Sequence, residues 1–132
     1  MNIQPFVRYF LLAKDVSYDV DDSNGISVFH LYNSIRSVDE PPFPILFPQP
    51  CCIIGLAGGR GTGIGQMVCL EEETGLPVFG SHPHPVVFIP DPLGFTVASF
   101  RILDCHFPRP GIYSLEFFWN DESLAEYPLR VR

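Results

Sequence analysis

Apolar and polar residues alternate with a period of two along most of the chain. In its last quarter Tyr113, Leu115, Phe117 and Trp119 fall on one face, because successive strand side chains point to opposite sides. Asn120-Asp121-Glu122 turns the chain, and Ala125, Tyr127, Leu129 and Val131 alternate again. That pattern predicts a closing antiparallel hairpin. Before it, Pro108 and Pro110 cannot donate ladder hydrogen bonds, and Gly111 permits a tight bend.

The same alternation predicts strands upstream. The first spans 6–14, with Val7, Tyr9, Leu11 and Ala13 on one face. A polar turn of Asp19, Asp21, Asp22, Ser23, Asn24 and Gly25 leads to a second over 26–35. There Ile26, Val28, His30 and Tyr32 alternate against Phe29, Leu31 and Ile35, and the two strands are expected to pair as a hairpin. Further strands are expected over 50–57, 64–72 and 95–103, with short pieces around Val78-Phe79 and Val86–Ile89. Turns fall at Gly58–Gly63, Glu73-Thr74-Gly75 and Pro90–Gly94. No apolar stripe of helical period stands out. The segment Asp39–Pro50 carries five prolines among Pro41, Pro42, Pro44, Pro48 and Pro50, which excludes helix and central strand. It reads as an extended crossover of Greek-key type, with Phe43, Ile45, Leu46 and Phe47 packing over an open end.

Eleven Gly and fourteen Pro punctuate short apolar runs, and 46% of the residues are hydrophobic against 17% charged. Such a chain buries a core and is not disordered. The fold class expected is all-β: an antiparallel, immunoglobulin-like Greek-key β-sandwich of about seven to eight strands with little or no helix. Its 132 residues are expected to form one domain, 1–132. Tyr113, Leu115, Phe117 and Trp119 should be buried, as should Leu11, Val28 and Phe100.

The net charge of −7 reads as a solubilising surface. Its bases are one Lys (Lys14) and scattered Arg, with no basic stripe for nucleic acid or anionic lipid. No apolar run is long enough to span a bilayer. The N-terminal apolar run is cut by Arg8 and Lys14, so it does not read as a secretion signal, and a cytoplasmic location is expected. Cys51 and Cys52, adjacent on a strand, cannot bridge each other, while Cys69 and Cys105 sit singly among apolar residues. Reduced, buried thiols are expected.

Several pieces carry a family resemblance. They are Leu11-Leu-Ala-Lys-Asp15, Ile26-Ser-Val-Phe-His-Leu-Tyr-Asn-Ser-Ile35, Glu73-Thr-Gly75, Phe107-Pro-Arg-Pro-Gly-Ile-Tyr-Ser-Leu-Glu116 and Pro128-Leu-Arg-Val131. In these the chain resembles a domain-of-unknown-function family of small bacterial single-domain β-sandwich proteins. The resemblance implies the fold and supplies no catalytic residue. More broadly the chain is similar to immunoglobulin-like sandwiches, in which a Tyr opening a late strand folds back onto a corner; Tyr113, after Pro110-Gly111, fits that part.

Candidate chemistry is sparse. Gly55–Gly65 is Gly-rich but offers neither a Gly-x-Gly-x-x-Gly register nor a Lys-Ser/Thr, so it reads as a flexible hairpin tip. His82 and His84 stand two apart, which on extended chain is metal-ligand spacing, and His30, His106, Cys105 or Asp91 would have to complete the set. In Asp104-Cys105-His106 the thiol and imidazole are adjacent and point apart, against a nucleophilic dyad. Glu71-Glu72-Glu73 reads as a solvated strand end, and no Gly-x-Ser-x-Gly elbow is present. No catalytic residue and no cofactor is expected. The reading is a non-catalytic protein-interaction or assembly module, self-association being the simplest case. Its contact surface would be Phe43, Ile45, Leu46 and Phe47 or an exposed sheet edge. The alternative is a metal- or small-ligand-binding sandwich that uses the loop around His82 and His84.

Overall fold

The structure, a computed structural model, describes residues 1–18, 25–90 and 92–132. The described residues form strands and no helix. In chain order these are β1 (Phe6–Tyr18), β2 (Ile26–Leu31), β3 (Ser34–Ile35), β4 (Ile45–Leu46), β5 (Cys51–Ala57) and β6 (Thr62–Glu71). They continue as β7 (Pro77–Gly80), β8 (His84–Val87), β9 (Thr96–Arg101), β10 (His106–Phe107), β11 (Gly111–Trp119) and β12 (Glu122–Val131). One sheet has the order β2-β1-β5-β9. A second runs β3-β12-β11-β6-β7, and β8 also pairs with β6. β10 and β4 form a ladder of their own. Every pairing is antiparallel except that of β3 with β12.

The two sheets share one core. Phe10, Leu12, Cys52, Ile54, Leu56 and Phe100 come from the first; Met67, Cys69, Tyr113, Leu115, Phe117, Trp119, Leu129 and Val131 come from the second. The period-two face of β11 is therefore buried as its sequence predicts. Its hairpin with β12 closes through Asn120 and Asp121, both at positive φ. Two such residues are what a two-residue hairpin turn demands.

The four-stranded sheet is apolar on both faces. Ala13, Cys51 and Ile53 make a second, smaller cluster on its outer side, packed by Tyr9, Leu11, Val16, Ile26, Val28 and Val97. The end of β1 reaches over that outer side, since the Tyr18 and Ser99 hydroxyls are 2.9 Å apart. Leu11 and Val28 belong to this thinner layer and are half-buried, not core. A bulge between Val7 and Tyr9 separates residues that strict alternation puts on one face: Val7 joins the main core, Tyr9 and Leu11 the outer cluster. The strand expected over 26–35 stops at Leu31, after His30 takes a positive φ of 57°. β1 and β2 do pair antiparallel; the polar turn at 19–24 lies outside the described residues.

Two further expectations change. The Gly-rich run joins strands of different sheets, so it is no hairpin tip. Gly59, Gly63 and Gly65 are buried, and a Cβ at 63 would overlap the Trp119 ring. The glycines admit aromatic rings against the backbone. Glu71 is not solvated. It is buried, bonded to Arg109 Nε at 2.6 Å and to the Thr74 hydroxyl at 3.1 Å. The 39–50 crossover packs as expected at three of its four apolar positions: Phe43, Ile45 and Phe47 lie against the main core, and Leu46 alone of the four is exposed. The Tyr113 hydroxyl donates to the Arg109 carbonyl at 2.7 Å, the corner contact its position predicts.

Candidate functional site

β9 ends the first sheet, and β7 with β8 ends the second on the same side of the molecule. The His84 ring lies 5.4 Å from that of Phe100, yet among the described residues no ladder joins the two edges. Between them opens a cavity of about 780 Å³, within the usual range for ligand sites. One wall is Val78, Phe79, Gly80, Ser81, His82 and His84. The opposite wall brings Val16, Tyr18, Cys51, Ser99 and Arg101, and Leu103, Asp104 and His106 close one end. A smaller hollow continues along β8 and β9 and shares Tyr18, His84 and Ser99 with the first. Together they form a trough along the open side.

Local sequence explains the walls. β7 and β8 are one course alongside β6, interrupted by Ser81-His82-Pro83. Val68 pairs with Gly80 and Gly65 with His84, so the outer course has one residue more than its partner. This is a bulge, and bulges re-aim side chains. Buried Ser81 fastens it: its hydroxyl accepts from Met67 N–H at 3.0 Å and its own N–H donates to the Met67 carbonyl at 2.8 Å. Pro77, Pro83 and Pro85 remove backbone donors from this course.

On the other wall Arg101 ties three segments. Its guanidinium donates to the Lys14 carbonyl at 3.2 Å, the Gln49 carbonyl at 2.9 Å and the Asp15 carboxylate at 2.7 Å. The Arg101 hydrogen bond, with help from Val16 N–H, holds the Asp15 carboxyl below its ordinary pKa. His106 Nδ1 sits 2.8 Å from the Asp104 carbonyl. A carbonyl can only accept, so Nδ1 carries the proton in this contact.

The structure thus brings together three of the four sequence candidates, His82, His84 and His106, on one cavity. His30 is elsewhere, on β2 beside Tyr32 at 4.8 Å. Asp91 lies outside the described residues. Among the described residues no three of His, Cys, Asp and Glu are grouped to hold a metal ion. The thiols are all buried and free. Burial pushes Cys105 up to about 12, and Cys52 and Cys69 also rise well above the ordinary thiol range. Cys51 lines the cavity, and its pKa too is raised by burial.

Sequence reasoning missed Tyr18, Ser99, Arg101 and Phe79. Tyr18 lies beyond the strand expected over 6–14 and Ser99 reads as ordinary alternation, and only the reach of β1 over β9 brings them together. Among the described residues no helix is long and apolar enough to cross a membrane. Comparison of the chain with family models, curated proteins and solved structures returned no match.

Proposed function

We propose that this protein is a non-catalytic binding module of β-sandwich architecture, and that its contact surface is the trough between β9 and β7–β8. The shared core of two antiparallel sheets and the Tyr113–Arg109 corner support the sandwich, with an immunoglobulin-like plan as its finer form. The observation that carries the binding role is the convergence of His82, His84 and His106 with Tyr18, Ser99 and Phe79 on one cavity. Those residues come from distant parts of the chain, and they combine apolar walls with a few hydrogen-bonding groups. The thiols, whose pKa burial raises, are poor nucleophiles, which supports a role without catalysis. The crossover supports contact less well, because three of its four apolar residues serve the core.

A photo-activatable cross-linking residue at position 82 and another at position 46 test this in the native host. The reading expects adducts from 82 and none from 46. Adducts from 46 alone would return the contact surface to the crossover; adducts from neither would contradict the binding role. A small organic ligand in the same cavity is the second reading, favoured by its volume of about 780 Å³.

A further inference from the structure

We infer that the trough takes an extended peptide segment of a partner, which adds as a further strand to the edge of β9, unpaired among the described residues. This rests on the trough being the contact surface and names what fills it. The argument begins with register. Ile102 N–H donates to the Pro50 carbonyl at 2.9 Å. Antiparallel pairs alternate between bonded and non-bonded. Thr96, Ala98 and Phe100 therefore aim their backbone groups at β5, and Val97, Ser99 and Arg101 aim theirs away. Six consecutive pairs join β9 to β5 with no register shift, so this row of donors and acceptors is regular. Ser99 and Arg101 lie on the cavity itself.

The other sheet edges are poorer templates. The β7–β8 course is bulged and carries Pro77, Pro83 and Pro85. β3 is two residues long. β2 is broken at His30 by its positive φ. Proline, bulges and short length are the usual means of blunting an edge, and β9 has none of them. Its six residues offer about 20 Å of pairing at the strand rise. The row of alternating N–H and C=O groups is met only by another extended backbone, which is why a peptide and not a globular face is the occupant. Alternate side chains of that peptide would enter the cavity beside Phe79, His82, His84 and His106.

A displayed library of linear nine-residue peptides is selected against the whole chain, and the selected peptides are tested with single backbone N-methylation at each position. Strand addition gives a period-two pattern: methylation at alternate positions weakens binding at least tenfold, and the positions between change it less than threefold. Ser99→Pro removes one outward N–H and no ladder bond to β5, so it should abolish binding. Peptides that bind the cavity without that period would overturn strand addition and leave the contact surface standing. Peptides whose affinity is unmoved by Phe79→Ala and by His84→Ala would place binding elsewhere and overturn both. A library that yields no binder overturns strand addition. The methylation series stands even if Ser99→Pro does not fold.

Discussion

Two proline-rich segments look alike in sequence and do opposite things. The 39–50 crossover and the Ser81–Pro85 run both alternate Pro with larger side chains. The first has Phe43, Ile45 and Phe47, and the molecule folds them onto its core. The second has His82 and His84, and it is held on the surface by a bulge. Burial of an apolar ring is worth roughly 2–3 kcal/mol, whereas a neutral imidazole gains little from it. Extended, proline-punctuated chain can serve either as a lid or as a rim, and the side chains between the prolines decide which.

The largest expected effect comes from breaking the lid. Phe47 meets Tyr32 edge-on at 4.8 Å, and its N–H bonds the Cys105 carbonyl at 2.9 Å. Phe47→Ala should cost about 2–3 kcal/mol in chemical denaturation, less than a fully buried Phe because the ring is half-buried. The variant should also speed native-state modification of Cys105 by a thiol reagent. His82→Ala should change stability by less than about 0.5 kcal/mol, as exposed surface positions do. Equal costs for the two would erase the distinction between lid and rim.

The bulge comes next. Ser81→Ala leaves buried Met67 N–H without its acceptor and should cost about 1–2 kcal/mol. The loss should appear together with faster amide exchange across 81–84. Wild-type stability would mean that the rim is held by something other than this bond.

The smallest effects are electrostatic and run in opposite directions with pH. Asp15 has a lowered folded-state pKa because Arg101 donates to it. Its contribution is present at neutral pH and is lost as pH falls through and below the ordinary carboxylate range. Asp15→Asn should therefore remove a small, salt-sensitive increment at pH 7 and none at acid pH, since the pair is largely exposed. Glu116 is raised, first by burial and then by Glu126 directly opposite. Its folded form gains relative to the unfolded chain as pH falls, and the gain is lost as pH rises through its folded pKa. Glu116→Gln should stabilise at pH 7 by about 0.2–1 kcal/mol, the scale of a like-charge cross-strand pair. A midpoint that moves the same way for both variants at pH 7 would contradict these assignments.

Much of this architecture is legible in single residues. The β11 face and its hairpin follow from Tyr113, Leu115, Phe117 and Trp119 at period two with Asn120-Asp121 after them, because alternation and turn chemistry are local. The Tyr113 corner follows from its place after Pro110-Gly111. The split of Val7 from Tyr9 does not, because a bulge is fixed by the partner strand. The packing of Gly63 under Trp119 is equally non-local, and there glycine means close approach where composition alone suggests a loose turn. Of the cavity, sequence offers His82 and His84 as a pair. It cannot show that His106, Tyr18 and Ser99 join them, since those contacts depend on the bend of β1 and on which edges face each other.

Amide hydrogen exchange along β9 in the free protein tests most directly whether its edge is open. The account predicts alternation: slow exchange at Ala98, Phe100 and Ile102, whose N–H groups face β5, and fast exchange at Val97, Ser99 and Arg101. Uniform protection across Val97–Ile102 would mean that the edge is already covered, and would contradict the claim that β9 is the open side of this molecule.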